Sequence, residues 1–207
     1  MDGNAVSSGM SFSQDWFSPH IPHLSRLLAG LRGVPGLSFL EIGSFEGRST
    51  VWFLQQVLTG AGSTITCIDT FRGSAEHSGL DVGWDDLQGT FRRNVDSFGS
   101  RVRVIEGESA VVLRGMPRQE AFDLVYVDGS HQATDVLEDG VLSWPLLKVG
   151  GIMVFDDYLW RMMESRPGPA IDAFLAVYAD RYDLLHKEYQ VAVRKRAMDG
   201  PPGRHFD

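Results

Sequence analysis

Four residues carry the clearest chemical signal in this chain: Asp128 and His131 in "VDGSH", and Asp156 and Asp157 in "MVFDDY". Each group follows a short apolar run. Two adjacent carboxylates at the end of a buried run repel each other and lose hydration, so they need a cation or open water. Three carboxylates brought together would suit a hard divalent ion, Mg²⁺ before Ca²⁺ or Mn²⁺. No cysteine cluster or paired-histidine spacing suggests zinc. A histidine titrates near neutral pH, which suits His131 to take a proton. Each signal also has a plainer reading. An acidic pair after a strand commonly caps the next helix, and a lone histidine commonly packs. Asp135 and Asp139 read as the exposed face of a helix.

A second group lies in "FLEIGSFEGRST", where Glu41, Gly43 and Gly47 cross from a strand end through a turn into a helix. The glycines permit a tight turn and leave the first N–H groups of the helix open to a ligand. The P-loop pattern fails, because Gly47 is followed by Arg48 and no lysine follows. The dinucleotide fingerprint G-x-G-x-x-G fails because Phe45 holds its middle position. A carboxylate inside the turn region suits a cationic ligand better than a pyrophosphate. Asp69 ends the next apolar run, where such folds place an acid against ribose hydroxyls. Glu108 and Ser109, in "EGES", follow the third run; Ser109 reads equally as a helix cap.

These residues need a frame, and a regular rhythm supplies it. Apolar runs at 37–43, 64–69, 101–107, 122–128 and 151–157 alternate with helix candidates at 47–58, 84–98, 109–115 and 132–147. The runs are apolar on both alternating faces, as expected of strands covered on both sides. A helix over 21–32 precedes them. A helix over 169–180 and a hairpin in "YDLLHKEYQVAVRK" follow. The expected fold is one α/β Rossmann-like domain: a mostly parallel seven-stranded sheet, helices on both faces and an antiparallel terminal strand. Ligands bind at the carboxyl edge of such a sheet, where Asp128, Asp156 and Asp157 can converge. The domain is expected over 16–196, with an N-terminal helical segment at 16–34, a flexible leader at 1–15 and a flexible tail at 197–207. The loop 70–83, with His77 and Asp81, is long enough to act as a lid. Trp16, Phe17, Trp84 and Trp160 are candidate pocket walls.

Composition narrows the partners. The 207 residues carry a formal charge of -8, and no basic run exceeds "VRKR", which disfavours RNA or DNA. One cysteine, Cys67, allows no internal disulfide and fits a reducing compartment. No segment has the length and apolarity of a membrane span, and the N-terminus lacks the regions of a signal peptide. A cytoplasmic protein acting on a small molecule is expected, and assembly into a homo-oligomer is left open.

The ordered series "LEIGSFEGRS", "CIDTF", "EGES" and "VYVDGSH" resembles the class I S-adenosylmethionine-dependent methyltransferases, over about residues 37–195. The resemblance implies that Glu41, Gly43, Ser44, Gly47 and Ser49 line the methionine part of the cofactor. It places Asp69 at the ribose, Glu108 and Ser109 near the adenine, and Asp128 beside the cofactor. "VDGSH" followed by "LLKVGGIMVFDDY" is similar to the metal-dependent O-methyltransferases of antibiotic biosynthesis, the macrocin and cephalosporin-modifying type. That likeness implies Mg²⁺ held by Asp128, Asp156 and Asp157, with His131 as general base and a hydroxylated small molecule as acceptor. Some relatives carry Glu where Asp156 stands. The alternatives are a metal-independent methyltransferase of the same fold and an NAD-dependent oxidoreductase.

Overall fold

The structure, a computed structural model, describes residues 9–74 and 82–197. His77 and Asp81 lie outside the described residues, as do 1–8 of the expected leader and 198–207 of the expected tail.

Seven strands form one sheet in the order β3-β2-β1-β4-β5-β7-β6. They are β1 (Ser38–Ile42), β2 (Thr64–Asp69), β3 (Val102–Glu106), β4 (Phe122–Val127), β5 (Leu147–Phe155), β6 (Tyr182–Lys187) and β7 (Val191–Lys195). The first five are parallel, and β7 runs antiparallel between β5 and β6. The helices are α1 (Ile21–Leu27), α2 (Arg48–Gln56), α3 (Leu87–Val95), α4 (Ser109–Gly115), α5 (Ala133–Ser143) and α6 (Pro167–Val177). Neighbouring strand residues serve different cores. Phe39 packs with Phe53, Leu54, Phe91 and Tyr126 on one face, while Leu40 packs with Val125, Phe155 and Phe174 on the other. This two-sided burial is why the strands read as continuous apolar runs.

Several boundaries differ from the expectation. The helices expected at 21–32, 84–98 and 132–147 are shorter α-helices continued by 3₁₀ turns. The fifth strand begins at Leu147, so Gly150 and Gly151 lie within it. Phe122 pairs with Leu147 and Leu124 with Ile152, so extra residues of β5 must bulge. Gly150 absorbs the bulge at a φ of 80°. Residues 11–14, expected within the leader, are tied to the domain. Ser11 and Asn94 exchange two hydrogen bonds, the Ser13 N–H donates to Glu46, and Arg48 donates to the Gln14 carbonyl. Among the described residues no helix is long and apolar enough to cross a membrane.

The strand ends are locked together one residue beyond the ladder. Backbone N–H groups of Gly43, Gly107, Asp128 and Asp156 donate to the carbonyls of Ile68, Asp69, Ile42 and Val127, at 2.8–3.0 Å. Gly43 is the tightest point. It has a φ of +81°, and a Cβ there would lie 1.9 Å from the Asp128 carbonyl oxygen. Gly43→Ala is therefore expected to cost roughly 2–5 kcal/mol, combining overpacking and a left-handed backbone. Gly62→Ala, at a φ of +74° but in open space, should cost only about 1–2 kcal/mol. Urea unfolding of the two variants checks the contrast.

Candidate active site at the carboxyl edge of the sheet

The turn after β1 is shaped by a carboxylate from β2. Asp69 Oδ2 accepts the N–H groups of Ser44 at 2.6 Å and Phe45 at 2.8 Å, and its Oδ1 accepts that of Phe71 at 2.7 Å. These bonds hold Phe45 at a positive φ of 48°, a conformation costly for an aromatic residue. Glu41 points away from the opening. It is fully buried, and Oε2 accepts the hydroxyls of Ser44, at 2.8 Å, and Thr50, with Cys67 at 3.4 Å. Burial pushes its carboxyl pKa up, while hydroxyl donors, Ser49 among them, oppose the shift. Gly47 caps α2 in the left-handed region, with the Phe91 ring 3.0 Å from where its Cβ would stand.

The acidic residues converge around β4 and β5. Alternation along β4 puts Leu124, Tyr126 and Asp128 on one side. The Tyr126 hydroxyl donates to Asp156 Oδ2, which also accepts Gln190 Nε2 at 2.7 Å. Asp156 Oδ1 accepts the Asp157 N–H at 2.8 Å, and His20 Nε2 lies 3.9 Å away. Asp157, at a φ of 59°, has left the strand geometry. Its Oδ2 pairs with His131 Nε2 at 2.6 Å, and its Oδ1 accepts the Tyr189 hydroxyl at 2.8 Å. Two stacked ring pairs flank the cluster: His131 on Trp160 at 4.5 Å and His20 on Tyr189 at 5.2 Å. Burial pushes the Asp128 carboxyl well above the usual range, and the Asp156 and Asp157 charges push it further. Burial and then Asp157 raise Asp156, with His20 pulling the other way.

The oxygens of Asp156 and Asp157 are thus turned toward protein donors. Among the described residues, no group of three or more His, Cys, Asp or Glu side chains is arranged to hold a metal ion. The donor chemistry is that of a hard-cation set, but the arrangement is not that of a metal centre.

All of this opens into one cleft of about 1590 Å³, above the roughly 300–1,000 Å³ common for one small ligand. There is room for two molecules. Gly43, Ser44, Ser49, Asp69, Glu108, Ser109, Asp128, His131, Asp156 and Asp157 line it; Glu41 and Gly47 do not. Trp16 and Trp160 are on the wall, whereas Phe17 is core, 6% exposed, and also borders the cleft. Asp139, expected on an exposed helix face, is 2% exposed and faces the turn after β4. Sequence reasoning also missed His20, Tyr126, Tyr189 and Gln190. Only Tyr126 carried a signal, two residues before Asp128 on the same strand face.

The family of the "Methyltransferase domain" matches residues 40–158, more than half of the chain and the whole span from the glycine turn to the acidic pair. The chain belongs to this methyltransferase family. An uncharacterized protein, R132 of Acanthamoeba polyphaga mimivirus, is 24% identical over 163 residues, covering 77% of this chain and 69% of that one. The fold is shared with an O-methyltransferase from Bacillus cereus solved in complex with SAH, at 18% identity and a TM-score of 0.63. That match covers 89% of this chain and 84% of the other. It is shared also with the MycE methyltransferase of the mycinamycin pathway, solved with Mg, SAH and mycinamycin VI. There the identity is 20% and the TM-score 0.59, over 91% of this chain and 53% of MycE. At these identities the likeness concerns the fold.

Within the methyltransferase domain Asp139 offers a direct electrostatic test. Burial raises its pKa from 3.8 to about 7, partly opposed by a Ser109 hydrogen bond and aided by Asp135 and Glu138. The native state then holds a proton that the unfolded chain releases, so stability falls as pH rises between these values. Asp139→Asn should be more stable than the parent at pH 8.5, by on the order of 4 kcal/mol at most, with the gain shrinking toward pH 4. Thermal unfolding across that range checks it.

Proposed function

We propose that the protein transfers a methyl group from S-adenosylmethionine to a hydroxyl of a small molecule. The observation that carries this reading is the His131–Asp157 pair, which opens into the same cleft as the glycine turn. The methionine part would lie along Gly43, Ser44 and Ser49, the ribose at Asp69 and the adenine toward Glu108 and Ser109. Along the described wall Arg48 is the one lysine or arginine, against Asp69, Glu108, Asp128, Asp156 and Asp157. Such a field favours a sulfonium cation and opposes a polyanion, which supports a small acceptor over a nucleic acid.

In the reaction the acceptor oxygen attacks the methyl carbon in line with the sulfur. The O–C bond forms, the C–S bond breaks, and S-adenosylhomocysteine leaves. His131 takes the hydroxyl proton. Asp157, itself held by Tyr189, orients the ring and stabilises the imidazolium. Most of the rate gain comes from holding the two reactants in this geometry.

A metal-assisted form of the same reading is favoured by one observation, the two buried carboxyls of Asp128 and Asp156, each raised by burial and by neighbouring acids at one sheet edge. Asp128, Asp156 and Asp157 are the residues that would hold a hard divalent ion, whose Lewis acidity would lower the pKa of the acceptor hydroxyl. The narrower likeness of "VDGSH" and "LLKVGGIMVFDDY" to the macrocin and cephalosporin-modifying group supports that form.

Methyl transfer from labelled S-adenosylmethionine to a panel of hydroxylated natural products tests the reading. His131→Ala should lower kcat by roughly 10²–10⁴-fold while leaving S-adenosylhomocysteine affinity within about threefold. Turnover that survives thorough EDTA treatment supports the metal-free form. Turnover that EDTA abolishes and Mg²⁺ restores supports the metal-assisted one.

A further inference from the structure

Two ring stacks join the N-terminal segment to the terminal hairpin. His20 lies on Tyr189 at 5.2 Å, and His23 of α1 lies on His186 of β6 at 3.6 Å, with those two planes 26° apart. All four rings border the cleft. Methyl transfer as derived above uses Tyr189, through Asp157, but leaves the His23–His186 pair without a role. His23 Nε2 is buried and has no hydrogen-bond partner among the described residues. Leu24 and Leu28 already fix this end of the chain in the core, so packing alone does not call for two imidazoles at the contact.

Neutral imidazoles stack, whereas two imidazoliums at that distance repel. The groups facing His23 are His186 across the contact, Arg26 from its own helix, Glu188 from the hairpin turn and His20 from the preceding 3₁₀ turn. Burial, then His186, Arg26 and His20, hold its pKa below the ordinary 6.5, while Glu188 opposes them. A parted His23 therefore binds a proton more readily than a stacked one, and acid favours parting. The effect is absent well above a pH of about 6.5 and grows as the pH falls below it.

We propose that the His23–His186 stack is a proton-sensitive staple that holds the hairpin turn against the carboxyl cluster and releases it in mild acid. Tyr189 is the positioning residue under its control. The turn carries the Tyr189 hydroxyl that donates to Asp157, which in turn holds His131. The staple rests on the ring contacts; its effect on proton removal rests on the methyl-transfer reading.

Hydrogen exchange of the full chain at about pH 7.5 and about pH 5.5, corrected for intrinsic rates, tests the staple. The reporter is the Tyr158 amide, which donates to the Tyr189 carbonyl at 2.9 Å. Its protection in the parent should fall by about 10-fold at the lower pH. His23→Phe keeps a ring to stack and cannot take a proton, and an imidazolium at His186 is attracted to a phenyl face. In that variant the fall should be below about threefold. His186→Phe carries the same expectation from the other side and serves if His23→Phe does not fold. Equal protection at both pH values in the parent, or a fall that persists in both variants, would overturn the staple. The readout needs no turnover, so absence of methyl transfer would count against the reading of the site and not against the staple.

Discussion

The site depends on one close approach, that of the Gly43 backbone to the carbonyl of Asp128. A glycine is required there because no side-chain carbon fits and the backbone must turn left-handed. The contact brings the end of β1 against the end of β4. It thereby joins the turn that would hold a cofactor to the acids and the histidine that would handle a proton. The backbone bonds from Gly43, Asp128, Asp156 and Gly107 extend the same registration across five strand ends. Function at this edge is a consequence of parallel strand register.

Within that frame, buried charge is managed by donors that were not among the predicted site residues. Tyr126, Gln190 and Tyr189 spend hydroxyl and amide hydrogens on Asp156 and Asp157. The pairing of β7 with β5 sets Val191 opposite Phe155 and so delivers the hairpin turn to the acidic pair. The terminal antiparallel hairpin therefore does more than close the sheet. It supplies two of the five hydrogen bonds that hold the adjacent aspartate side chains, from Tyr189 and Gln190. His20, from the segment before α1, completes the ring from the other side.

Much of the fold was legible because the strands are buried on both faces and the helices are punctuated by Gly and Pro. Phe39 and Leu40 belong to opposite cores, and that is visible as an unbroken apolar run. The bulge in β5 was not legible, since its Gly pair reads equally as a strand start. The convergence of Asp128, Asp156 and Asp157 followed from placing both motifs at one edge. The hairpin contacts did not, because Tyr189 and Gln190 gain meaning only from the strand order. Asp139 was misread for a related reason. Helical periodicity marks a polar residue as exposed, whereas here the helix turns it toward a ligand cleft. Glu41 shows the converse: a motif acid expected at the ligand instead binds the hydroxyls beneath the turn.

The central claim is that one ligand spans the strand ends from the carboxyl cluster to Ser109. A crystal structure of the protein grown with S-adenosylhomocysteine tests it most directly. The expected result is the homocysteine along Gly43 and Ser44, with its sulfur facing His131, and the adenine toward Glu108 and Ser109. A ligand bound away from this edge, or a cleft left empty at millimolar ligand, would contradict it.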